Sequence, residues 1–269
     1  MTKHLITIAD LNPDDVDAIF ALVGSQSFEF SARRAVAWSF EGNGIRTRAS
    51  FIQAFRELRL SFTELPNLLK THERAHDLAA YLAPLFDLFV IRESDHGRLA
   101  DFAHFSPSPV INAMSAQAHP CEVLTDAYFI QQSIKPLRDA RIVLWGPTTN
   151  VYHSWHELAA LLGFSVIQVC DQSEHENLSN VKFSVSPPSI ADVVITDRHP
   201  AAVENAFCPL TLAHLQSMGK PALLPTPPFS VGGEMLFDPA SYPEFVGYEQ
   251  KSLLVPVQKA VITHLLNTE

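Results

Sequence analysis

Val110-Ile111-Asn112-Ala113-Met114-Ser115-Ala116-Gln117-Ala118-His119-Pro120-Cys121-Glu122-Val123-Leu124-Thr125-Asp126 is the stretch on which the reading of this chain turns. A short apolar strand end, Val110-Ile111, runs into a small polar turn. His119-Pro120 then precedes an amphipathic run over residues 121–130. Proline suits the first position of a helix, where its missing N–H would lack a partner anyway. The stretch therefore delivers His119 to a helix N-terminus, beside unpaired N–H groups and a partial positive charge. A neutral imidazole held there can donate to an oxygen that carries or develops negative charge. A histidine that only packs at a helix start is the competing reading of the same pattern.

Outward from that stretch, strands alternate with helices in both directions. Toward the N-terminus, Asn12-Pro13-Asp14-Asp15 opens a helical segment within residues 11–30, with a cap, an N1 proline and first-turn acids. Ala35-Val36-Ala37-Trp38-Ser39-Phe40 is long enough for a buried strand. Glu41-Gly42-Asn43-Gly44 turns the chain, Ile45-Arg46-Thr47-Arg48 follows, and residues 49–60 have a helical apolar face. A strand, a glycine-rich turn and a helix with Arg-Thr-Arg at its mouth make a phosphate cradle, where backbone N–H groups, the helix dipole, a hydroxyl and two guanidiniums converge. A solvated basic turn is the alternative. Lys70 precedes a helix over 74–85, residues 86–91 read as a strand, and Arg92 stands at its carboxyl end, where side chains face the ligand crevice of a parallel sheet. His96, in the next turn, reads as a surface residue.

Toward the C-terminus, strand 140–145, loop Gly146-Pro147-Thr148-Thr149-Asn150, helix 152–162 and strand 165–170 form a βαβ unit. The loop lacks G-x-G-x-x-G, which argues against a dinucleotide. Strand 191–196 is followed by Asp197-Arg198-His199-Pro200, and Ala222-Leu223-Leu224 by Pro225-Thr226-Pro227-Pro228. The alternation gives an α/β protein of two domains, each a parallel sheet flanked by helices. The expected boundaries are 1–132, completed by a C-terminal helix within 250–269, and 133–249.

Composition narrows the function. The chain has 269 residues, 47% of them hydrophobic, which is enough for two modest cores. Its formal net charge of −10 argues against general nucleic-acid binding, which rests on Lys and Arg neutralising phosphates. No apolar run reaches the ~18 residues of a membrane span, and the N-terminus has no signal-peptide pattern. Cys121, Cys170 and Cys208 are odd in number and far apart, so they frame neither disulfides nor a metal knuckle. The expected setting is a reduced cytoplasm, with no membrane partner.

The central stretch resembles the V-I-N…HPCQ-x-L-x-D segment of the aspartate/ornithine carbamoyltransferase superfamily, with Glu122 in place of the glutamine. Gly44-Ile45-Arg46-Thr47-Arg48 is similar to that family's S-T-R-T-R loop. The resemblance runs from about Phe40 to Leu266 and is closer to the ornithine type. It implies a homotrimer with sites between subunits and no metal or organic cofactor. Carbamoyl phosphate would lie against Gly44, Ile45, Arg46, Thr47, Arg48, Arg92, His119 and Glu122. His119, Arg92 and Arg46 would be catalytic, His119 by polarising the carbonyl. Lys70 would reach into a neighbouring subunit's site. Asn150 and Asp197 match the family's G-D-x-x-N and T-D acceptor positions, and Arg198, His199, Thr226 and Pro228 fall beside them. The family's S-M-G after the aspartate is absent, and Leu254 stands where ornithine-type members carry an arginine. The implied function is transfer of the carbamoyl group to an amine of an amino acid or related small metabolite, the acceptor not being ornithine. The rival is a catalytically inactive relative that binds a phosphorylated metabolite or a partner protein. Glu122 is its best support, because a carboxylate repels a phosphate-bearing donor.

Overall fold

The computed structural model describes residues 2–25, 28, 30, 33–198 and 208–267. In chain order the regular elements are α1 (Pro13–Ser25), β1 (Ala35–Phe40), α2 (Ile45–Glu57), β2 (Ser61–Glu64), α3 (Ala75–Leu82), β3 (Leu88–Arg92), α4 (His96–Phe105), β4 (Val110–Met114) and α5 (Pro120–Ser133). There follow β5 (Ile142–Trp145), α6 (Asn150–Leu162), β6 (Val166–Val169), β7 (Val181–Ser184), β8 (Val193–Thr196), α7 (Leu212–Ser217), β9 (Ala222–Pro225), α8 (Gly247–Lys251) and α9 (Leu254–Asn267). The chain divides into one unit of Met1–Leu124 with Leu253–Glu269 and a second of Thr125–Ser252. The first division falls inside α5.

The first unit holds a parallel sheet of order β2-β1-β3-β4. β1 is apolar but for Ser39 and β3 is apolar up to its last residue, Arg92, as suits strands covered on both faces. The chain steps from β1 to β2 on one side and then to β3 on the other. The turns after β1 and β3 therefore flank a topological switch point, where open α/β sheets bind ligands. The second unit is a parallel sheet of order β7-β6-β5-β8-β9. Its switch point lies between β5 and β8.

Three local readings change. The helix after β1 begins at Ile45 rather than 49, so Arg46, Thr47 and Arg48 form its first turn. Gly44 is its N-cap and has no side chain to announce the start. The run after Pro120 is not amphipathic in place: residues 121–130 are all buried. A helix surrounded on every side carries apolar or satisfied side chains all round. His96 opens α4 instead of sitting in a turn, and is not fully exposed.

Candidate active site

In the first unit the switch-point turns bring a basic cluster together. Phe40 and Arg92 are register partners at the ends of β1 and β3. The guanidinium carbons of Arg48 and Arg92 lie 5.1 and 5.4 Å from the Phe40 ring centroid. Gly44 leaves the room that this packing fills. A Cβ there would stand 2.5 Å from Phe40 Cε1 and 2.7 Å from Arg92 Nη1. Burial and the nearby Arg46 both lower the pKa of Arg92, while Glu41 offsets part of that effect. Two guanidiniums close enough to oppose each other's charge are best relieved by an anion. The N-cap of α2 makes no side-chain hydrogen bond, and its first turn holds no acid, so the helix end presents positive potential.

The other members of the predicted cradle are disposed differently. Arg48 Nη1 donates to Glu64 Oε1 at 2.6 Å, which ties it to β2. Arg46 is exposed, Thr47 is intermediate, and Ile45 is 73% exposed. Lys70 is engaged within its own chain, its Nζ 3.1 Å from Glu41 Oε1 and 2.5 Å from Glu93 Oε1. Two carboxylates beside the switch point hold Lys70 within this chain. Hydrogen bonds from the Ser94 backbone and side chain, followed by Lys70, lower the Glu41 carboxyl to about 2.

His119 is delivered by a buried polar turn. Asn112 Nδ2 donates to the carbonyls of Ile6 (2.8 Å) and Ala118 (3.3 Å) and to Ser115 Oγ (3.1 Å), while its Oδ1 accepts from Met114 N–H. Ser115 Oγ accepts from Ala118 N–H and lies 2.8 Å from His96 Nδ1. Three polar residues thus fix a five-residue connection between β4 and α5, so that His119 caps the helix with its carbonyl accepting from Val123 N–H. His119 is 7% and Glu122 5% exposed. Burial pushes the neighbouring Cys121 thiol up to about 12, which excludes it as a thiolate nucleophile at neutral pH.

In the second unit, Thr149 caps α6 by accepting from Tyr152 N–H, and it also hydrogen-bonds Asp197. Asn150 is the first residue of that helix. Asp197 follows β8, and its Oδ1 accepts from Arg198 N–H at 2.9 Å. Desolvation, reinforced by Glu234, pushes its carboxyl up to about 6. Arg198 is exposed, and His199 lies outside the described residues. Thr226 follows β9, is 8% exposed, and donates its N–H to Thr196 O at 2.7 Å. Pro228 follows a cis bond from Pro227. Among the described residues, no group of three or more His, Cys, Asp or Glu is placed to hold a metal ion, and no helix is long and apolar enough to cross a membrane.

Residues 3–132 match the description "Aspartate/ornithine carbamoyltransferase, carbamoyl-P binding domain". The ornithine carbamoyltransferase of Methanococcus aeolicus is 30% identical over 206 residues, covering 72% of this chain and 67% of that one. The chain belongs to the aspartate/ornithine carbamoyltransferase family. It is by that membership an enzyme of carbamoyl transfer. The ornithine carbamoyltransferase of Methanopyrus kandleri is 27% identical over 306 residues, covering 98% of this chain and 97% of its own. The fold agrees: the crystal structure of ornithine carbamoyltransferase from Thermus thermophilus superposes with a TM-score of 0.89 at 22% identity, covering 99% of this chain and 100% of that one.

Sequence reasoning missed Asn112 and Ser115 as the residues that shape the turn before His119, and Glu41 and Glu93 as the partners of Lys70. The first pair could have been found, since small polar residues spaced around a strand end are frequent turn formers. The second could not, because the two glutamates meet only through the β1–β3 register.

Asp197, expected from sequence on the acceptor side, carries a pH signature. Its carboxyl holds a proton more tightly folded than the ordinary Asp value of 3.8. Its contribution to folding is therefore fully present below about 4 and is lost as pH rises through about 6. Binding runs the other way, because only the ionised form attracts an ammonium group. Affinity for the best amine acceptor is expected to rise as pH increases from 5 through about 6, and Asp197→Asn to flatten that rise. Calorimetric titration across pH 5–8 checks it, and a slope that survives in the Asn variant would remove Asp197 from the site.

Proposed function

We propose that this chain moves the carbamoyl group of carbamoyl phosphate to an amine of an amino acid or related small metabolite other than ornithine. The observation that carries the donor half is the convergence of Arg46, Arg92 and the uncapped N-terminus of α2 across Gly44 at the first unit's switch point. Arginines hold the phosphate dianion by charge-assisted hydrogen bonds. His119 donates to the carbonyl oxygen as it gains charge in the tetrahedral intermediate. The amine attacks unprotonated and its nitrogen–carbon bond forms. Collapse then breaks the carbon–oxygen bond to phosphate, which leaves with that electron pair, and the proton released by the amine goes to the leaving phosphate or to solvent. Asn150 and Asp197 orient the acceptor, so that catalysis is positional and electrostatic.

Relatives named ornithine carbamoyltransferase speak for ornithine, and two features of this chain speak against it. Asp197 is followed by Arg198 and His199 instead of the expected S-M-G, and Leu254, 7% exposed at the start of α9, supplies no guanidinium. Ornithine is expected to turn over well below the ordinary enzymatic range of about 1–10³ per second, while another amine in a panel is carbamoylated within it. Efficient turnover of ornithine would overturn the acceptor assignment and leave the transferase assignment standing. We further propose a cytoplasmic homotrimer without nucleic-acid or membrane partners, on the strength of the family resemblance and the acidic composition. Glu122 fits the active reading by accepting from the carbamoyl N–H₂ group.

A further inference from the structure

Gln168 lies in the middle of β6 and is fully buried. Its Nε2 is 3.1 Å from the carbonyl oxygen of Gly146 and 3.1 Å from Thr148 Oγ1. Its Oε1 is 2.8 Å from Nε2 of His156, itself 7% exposed on α6. A carbonyl oxygen only accepts, so the Gly146 contact fixes which end of the amide is nitrogen. Gln168 Oε1 must then accept from His156, and His156 is held as the tautomer protonated on Nε2. Gly146 has φ +134°, a conformation open in practice only to glycine, and the loop it begins runs straight to Thr149 and Asn150.

We propose that Gln168 and His156 are positioning residues for acceptor binding: Gln168, oriented by His156, holds the Gly146 carbonyl and the Thr148 hydroxyl, which places Thr149 against Asp197 and Asn150 at the start of α6. This rests on the reading of Asn150 and Asp197 as acceptor ligands. The chemistry is that of a buried clamp. One amide bridges a strand, a loop and a helix, and its bonds to Gly146 and His156 are buried, so that no solvent replaces either partner once lost. The loop carries no charge or large side chain of its own between Gly146 and Thr149, and the clamp supplies the fixation that its composition lacks. A neutral clamp suits that place, because a protonated imidazole beside the loop would repel the acceptor's ammonium. Burial pushes the His156 ring down to about 4, which keeps it uncharged at working pH.

Gln168→Met keeps the volume and removes all three hydrogen bonds. Thr148→Val removes one of them at a partly exposed position, and Thr148→Ser restores it. In steady-state transfer assays on the full chain, the KM for the best amine is expected to rise on the order of tenfold or more in Gln168→Met. It should rise severalfold in Thr148→Val and return toward wild type in Thr148→Ser. Affinity for a phosphonate analogue of carbamoyl phosphate should stay within about twofold throughout. A purely structural role predicts a lowered melting temperature with unchanged KM for the surviving folded fraction, and that result in Thr148→Val would overturn the proposal. Equal loss of analogue and acceptor binding would overturn it as well. A wild-type protein that carbamoylates no amine at all would instead overturn the acceptor reading on which it stands.

Discussion

His119→Ala is expected to lower the turnover number for carbamoyl transfer by about 10²–10³-fold, the usual cost of deleting one donor to a developing oxyanion. The fold should survive. His119 caps α5 through its backbone carbonyl, which alanine retains, and Asn112 ties the turn to Ile6, Ser115 and Ala118. Affinity for a non-reactive phosphonate analogue should change far less than turnover, because the charge His119 answers appears only as the carbonyl becomes tetrahedral. Rapid-mix single-turnover measurements separate that step from product release. A variant that loses analogue affinity and turnover in equal measure would mean that His119 only packs the helix start.

Arg46→Ala has the second large effect, on binding. Removing a charge-assisted hydrogen bond to phosphate costs about 1.5–3 kcal/mol, or roughly ten- to hundredfold in Kd. Arg46 is the arginine to choose. Arg48 is committed to Glu64 and to the Phe40 ring, and Arg92 packs over Gly44, so that replacing either would disturb the scaffold. Arg46 is exposed in the first turn of α2 and bears on Arg92 electrostatically. Calorimetric titration with the analogue at two salt concentrations should show both the loss and a weaker salt dependence than wild type. Undiminished affinity would reject the cradle.

The parts of this molecule that were legible beforehand are those where apolar runs and breakers agree. β1 was bounded by its own composition, and Arg92 could be set at the end of β3 because Leu88–Ile91 is uniformly apolar. β2 escaped notice because Ser61–Glu64 is a four-residue edge strand without an apolar run. α4 was missed although Asp95 caps it by accepting from Arg98 N–H and Leu99, Phe102 and Ala103 line its buried side. The start of α2 was misplaced because a glycine cap has no side chain to recognise. Motif similarity pointed to the cradle and to His119, whereas the contacts of Lys70 with Glu41 and Glu93 had no motif to announce them. Gln168 and His156 were invisible for the same physical reason: residues apart in sequence become partners only once β6 lies beside β5.

The central claim is that this chain passes a carbamoyl group from carbamoyl phosphate to an amine. The most direct measurement is incorporation of label from carbonyl-labelled carbamoyl phosphate into an acid-stable ureido product, across a panel of amino acids, diamines and anionic amines that includes ornithine. The account predicts product with at least one amine other than ornithine, dependent on both His119 and Arg46. Phosphonate analogue bound with ordinary affinity, but no acid-stable product from any amine in the panel, would contradict it and mark the chain as a binding relative that has lost the reaction.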